Sequence, residues 1–141
     1  MKKILIFLVI IIIVIAIVIV RYSSFDSEKN LIMKENKEFE QYNGKEVYGL
    51  ELATVINKAV DENTKNRIKK DDKGIFIQNE KDSIQVEIYM QDNETTYKME
   101  QFYNAGTEQF VKHYGNIKFK CSKIEYHEET GKISYMFFEQ I

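Results

Sequence analysis

The sequence predicts an α+β protein in which an N-terminal transmembrane helix and a spacer helix precede an amphipathic helix packed on an antiparallel sheet of about five strands. Three patterns carry that expectation: an unbroken apolar run from Ile4 to Val20, an apolar stripe of helical period from Tyr48 to Val60, and a change to period two after Gly74. They divide the 141 residues into an anchor over 1–22, a helical spacer over 23–46 and an α+β domain over 47–141, expected on the extracytoplasmic side of a cell membrane.

The anchor comes first. Seventeen apolar residues stand between Lys2-Lys3 and Arg21, and at 1.5 Å per residue they reach about 25 Å. A hydrocarbon core of about 30 Å then requires the flanking Lys and Arg to snorkel and Tyr22 to sit at the interface, so the predicted partner of residues 4–20 is membrane lipid. A cleaved signal peptide would end its apolar region on small residues. Here the exit reads Ile17-Val18-Ile19-Val20-Arg21-Tyr22, which favours an uncleaved, single-pass signal anchor. Basic residues flank both ends, and the short Met-Lys-Lys leader is read as cytoplasmic.

Beyond the anchor, Phe25, Ile32 and Phe39 recur at intervals of seven. A coiled-coil seam would need apolar residues where Glu28 and Glu35 stand, so a solvated spacer helix is the better reading. Asn43-Gly44 ends it. Tyr48, Leu52, Val55, Ile56, Ala59 and Val60 then place one apolar face along a helix from Lys45 to about Asn63. Its other face carries Glu46, Glu51, Asn57, Lys58 and Asp61, and a polar stretch follows to the turn at Asp71-Asp72-Lys73-Gly74.

After Gly74 the alternation predicts strands with one buried face, which Ile75 and Ile77 begin. Ile84, Val86, Ile88 and Met90 form a second set, and Tyr97 and Met99 a third. The intervening turns are short enough to make neighbours antiparallel. A helix over Thr107 to Tyr114 gathers Phe110, Val111 and Tyr114 on one side. Ile117, Phe119 and Cys121 share a face, but Ile124 and Tyr126 have the opposite parity, which requires a bulge near Ser122-Lys123. Glu128-Glu129-Thr130-Gly131 closes a hairpin onto a last strand that should bury Ile133, Tyr135 and Phe137.

Composition narrows the functional classes. With Lys2 and Lys3 set apart, 18 basic and 22 acidic side chains remain, a balance of −4 that argues against a nucleic-acid partner. The lone Cys121 excludes an internal disulfide. Cys121 with His113 and His127 is the one soft-ligand set, but spacings of eight and six match no zinc frame and a fourth ligand is missing, so no metal or cofactor is expected. Cys121 reads as a small buried hydrophobe rather than a nucleophile. Glu128-Glu129 and Asp71-Asp72 lie in turns and read as solvated charge. No phosphate loop, nucleophile elbow or metalloprotease helix is present, and no catalytic residue is assigned.

An apolar N-terminal helix running into a polar one and then a sheet resembles the layout of type IV pilins and pseudopilins. The processing motif of that family, a Gly or Ala before a Phe or Met with a Glu five residues after the cut, does not occur in Met1-Lys2-Lys3-Ile4-Leu5-Ile6. The chain also resembles small single-pass membrane proteins of Gram-positive bacteria. The expected function is that of a non-enzymatic, membrane-anchored domain acting by contacts with a protein partner, in a cell-envelope or pilin-like secretion assembly. The alternative is a domain that binds a small ligand or cell-wall polymer through exposed aromatics. A tyrosine-lined pocket with convergent polar groups would favour a ligand, and a contiguous apolar patch on the outer sheet face would favour a protein.

Overall fold

The computed structural model describes residues 2–141, with side chains from Lys3 onward. The chain divides into two compact units, 1–34 and 35–141. The first is the greater part of helix α1 (Lys2–Glu40). Its apolar side chains from Ile4 to Val20 are all open to the surroundings, so this helix is long and apolar enough to cross a membrane and has no core of its own. The helix continues through the Ser-Ser stretch, where Ser24 Oγ donates to the Val20 carbonyl and Ser27 Oγ to that of Ser23, each at 2.9 Å, instead of offering the backbone a non-helical partner.

The second unit is α+β. Its elements are the last turn of α1, β1 (Glu46–Tyr48), α2 (Gly49–Lys65), β2 (Gln85–Met90), β3 (Thr95–Lys98), α3 (Met99–Ala105), α4 (Thr107–Tyr114), β4 (Lys118–Tyr126) and β5 (Ile133–Gln140). The sheet order is β1-β4-β5-β2-β3. Three pairs are antiparallel, but β2 and β5 run parallel, with Val86 opposite Met136 and Ile88 opposite Phe138. The expected all-antiparallel sheet is therefore a mixed one. Alternation reports which face a strand buries and is silent about which neighbour it takes.

One face of the sheet is covered by helices. Leu52, Val55, Ile56 and Ala59 of α2 are fully buried with Val86, Ile88, Phe119, Met136 and Phe138 of the strands. An aromatic chain continues this core from Tyr97 through Phe102 and Phe110 to Phe119, with ring centroids 4.7–6.0 Å apart. Phe39 at the end of α1 also belongs to it.

Several local expectations are corrected. Strand β1 precedes α2, so Tyr48 is half exposed and Val47 is buried in its place. The backbone N–H of Tyr48 donates to Glu51 Oε2 at 3.0 Å, and the helix begins there instead of at Lys45. Residues 75–78 make only one bridge, Lys70 with Phe76, and Phe76 is buried while Ile77 is exposed. Asp71 Oδ1 accepts the N–H groups of Lys73 and Ile75 at 2.9 Å, so a side-chain-built turn replaces a strand. Met99 is buried as expected but opens α3, where Lys98 N–H donates to Gln101 Oε1 at 2.8 Å.

The bulge does fall between Cys121 and Lys123, and a second shift follows between Glu125 and Tyr126. Those shifts leave Tyr126 exposed and Ile124 half buried. On β5 the buried residues after Ile133 are Met136 and Phe138, while Tyr135 and Phe137 turn to the opposite face.

Candidate functional site

The face of the sheet away from the helices is open. Register places Glu46 beside Lys120, Tyr48 beside Lys118, Lys123 beside Phe137 and Glu87 beside Lys98, so mixed charges surround a half-buried centre of Tyr89, Tyr135 and Phe137. Tyr135 and Phe137 lie nearly parallel, with centroids 6.5 Å apart. Ion pairs such as Lys118–Glu46 at 3.1 Å tie neighbouring strands but are solvent-screened. The Glu46 carboxylate, as hydrogen-bond acceptor and charge, moves the Lys118 ammonium pKa upward.

At one end this open face deepens into a groove of about 630 Å³. Its floor is Gln85 and Glu87 of β2 with Ser134 and Tyr135 of β5, and its walls are the 78–80 segment, Lys98, and Tyr126 through Glu129. Two loops build the walls. In the first, Asn79 Oδ1 accepts the N–H groups of Lys81, Asp82 and Ser83 at 2.9–3.0 Å, closing a tight turn. Buried Asn63 holds the exit of that turn, taking the Ile84 N–H at 2.8 Å and donating to its carbonyl at 2.7 Å. In the second, Asn36 donates to the Gly131 carbonyl at 2.8 Å and accepts the Ile133 N–H at 3.0 Å. The loops are then clamped together by His127 Nε2 on the Ser83 carbonyl at 2.7 Å and Thr130 Oγ1 on that of Lys81 at 2.6 Å.

Electrostatics fix the protonation of the groove's tyrosines. Burial pushes the Tyr135 phenol well above its ordinary pKa, reinforced by the Glu87 carboxylate that accepts its O–H at 2.9 Å. Tyr126 shifts the same way through burial and then Glu40, which accepts its O–H at 3.0 Å. Both remain neutral donors bound to carboxylates, and neither is poised as a base.

The sequence-level candidates separate in space. Cys121 is fully buried beside Phe119. His113 is exposed on α4, its Nδ1 2.8 Å from the Gln109 carbonyl. His127 is in the loop clamp, and the described residues contain no group of three or more His, Cys, Asp or Glu able to hold a metal ion. Burial raises the Cys121 thiol pKa, with only partial offset from backbone hydrogen bonding around Lys123 and Gly44, so the thiolate needed for nucleophilic work is disfavoured. Glu128 and Glu129, read as a solvated turn, are exposed but stand on the groove wall. Sequence reasoning missed the groove because its parts span residues 78–135 and share no local motif; the legible trace was the flanking pair of polar turns, Asn79-Glu80-Lys81-Asp82 and Glu128-Glu129-Thr130-Gly131.

Cys121→Ala should cost about 1–2 kcal/mol through lost burial, and Cys121→Ser should be similar or worse for stranding a hydroxyl. Native protein should resist iodoacetamide until it is denatured, and its melting temperature should not change with chelator. Rapid alkylation of the folded chain would contradict the buried, neutral thiol.

The chain matches no protein-family model, no curated protein and no solved structure.

Proposed function

We propose that this chain is a membrane-tethered, non-enzymatic recognition domain. In this reading, residues 4–20 anchor it with the N-terminus inside, and the domain makes protein contacts outside the cytoplasm through the open face of its sheet. The observation that carries the reading is the asymmetry of the sheet, whose inner face is sealed by α2, α3 and α4 while its outer face ends in a polar groove. A cell-envelope or secretion assembly, with a pilin-like layout, is the setting that best suits an anchor followed by such a domain.

A second reading has its own support. Tyr126 and Tyr135 line the groove with convergent polar groups, as a small-ligand or cell-wall-polymer site would require. A contiguous apolar patch, the sign of a large obligate protein interface, is not what surrounds Tyr135 and Phe137. By that contrast the groove itself favours the ligand reading, and the protein contact proposed is confined to a small, polar footprint on the open face.

One experiment tests anchor and face together. A photo-crosslinking residue replaces Lys120 on the outer face or Thr54 on the solvent side of α2 in the full-length chain, and membranes are washed with carbonate after irradiation. The expected result is a discrete protein adduct from position 120 alone, retained in the washed pellet. Release of the chain by carbonate would remove the anchor, and an adduct confined to position 54 would move the contact to the helical side.

A further inference from the structure

We propose that the last turn of α1, residues 35–40, is a latch on the β4–β5 hairpin, and that the groove keeps this wall only while the turn is docked. The latch is a conformational device, and it does not depend on what the open face contacts.

Side chains of the turn grip both strand ends at the mouth of the hairpin. Asn36, itself buried, donates to the Gly131 carbonyl at 2.8 Å and accepts the N–H of Ile133, the first residue of β5, at 3.0 Å. Glu40 accepts the O–H of Tyr126, the last residue of β4, at 3.0 Å. Glu35 pairs with Lys132 at 3.0 Å where both side chains are mostly covered, and Phe39 roots the turn in the core.

These bonds fall where the sheet itself is irregular. The register of β4 and β5 shifts between Glu125 and Tyr126, so the ladder is disrupted beside the residues that α1 holds. The Ile133 N–H is buried there, and Asn36 accepts it. Losing that acceptor strands a buried donor at one site and removes no core packing, which is the energetic signature of a local restraint.

The hairpin passes the restraint onward. Its His127 and Thr130 hold the Ser83 and Lys81 carbonyls of the facing loop, and Tyr126 through Glu129 form the groove wall. Because α1 runs unbroken from Lys2 to Glu40, this turn is where a shift of the helix reaches the groove. By linkage, anything that binds only the formed groove also holds the turn in place.

The test is hydrogen exchange on the full-length chain in micelles, read segment by segment. Asn36→Ala should speed exchange across residues 127–133 by about tenfold, and Glu40→Ala by about threefold. Val60→Ala removes packing from the buried face of α2 instead. It should speed exchange in α2 yet leave 127–133 within about twofold of the parent, because the hairpin opens locally while α2 stays folded. Should Asn36→Ala fail to fold, Glu40→Ala, at an exposed position, carries the same comparison. Exchange across 127–133 that neither variant of the turn moves would overturn the latch. Acceleration of the hairpin by Val60→Ala as large as that of α2 would overturn it too, by showing that the hairpin opens only with the whole domain.

Discussion

Ile56→Asp should unfold the domain. Ile56 is fully buried on the face of α2 that meets the sheet, and among the described residues no Lys or Arg is buried in the core around it. Removing the isoleucine gives up about 1.5–3 kcal/mol of burial. The carboxylate that replaces it must either stay charged without a partner or take up a proton, at a cost of several kcal/mol more. Against the 5–15 kcal/mol typical of a whole domain, the sum leaves little or no folded population. In micelles the full-length variant should show no cooperative melting transition, whereas Ile56→Val should melt within about 1.5 kcal/mol of the parent. A cooperative, near-native transition for Ile56→Asp would mean that α2 does not seal the sheet.

Gly49→Ala should destabilise the domain by about 2–4 kcal/mol, although alanine is the better helix former by about 1 kcal/mol. Gly49 opens α2 where the end of α4 passes, and a Cβ built there would lie 2.6 Å from the Tyr114 carbonyl carbon and 3.2 Å from Gly115 Cα. Both obstacles are backbone and cannot rotate away. Moving the strands of chain apart would also stretch two hydrogen bonds, Gly49 N–H to the Ile117 carbonyl at 2.8 Å and Leu50 N–H to that of Gly115 at 3.2 Å. A melting curve gives the sign directly. Stabilisation by Gly49→Ala would show that helix propensity outweighs the close approach, and Leu50→Ala, at an exposed neighbour, should be nearly silent.

These two positions illustrate what was legible. Ile56 lies in a helical stripe, and amphipathic periodicity identifies such a residue without any knowledge of what covers it. Gly49 carries no comparable signal, because its role depends on Tyr114, far along the chain. The same division runs through the sheet. Val86, Ile88 and Met90 alternate cleanly and are buried as expected, and the bulge at Ser122-Lys123 follows from a parity conflict visible in the residues themselves. Ile133, Tyr135 and Phe137 alternate equally well, yet the register shifts between β4 and β5 exchange the face, so that Met136 and Phe138 enter the core. Ile75-Phe76-Ile77 is apolar throughout; period two assigned the buried face to Ile75 and Ile77, but Phe76 takes it, with its N–H donated to Glu100 Oε1 at 3.1 Å. The groove required the full tertiary fold, since its floor comes from two strands that are parallel and distant in sequence.

The position of β5 has a consequence for biosynthesis. The strand latest in sequence among those described, Ile133–Gln140, is inserted at the centre of the sheet between β4 and β2. Until it emerges, β4 with β1 and β2 with β3 are separate ribbons whose inner edges have nothing to pair with, and two-stranded ribbons alone are marginal in water. Vectorial emergence therefore cannot build this domain progressively from its N-terminal side. The domain must stay open until β5 is available, and then close in a single late step of high contact order.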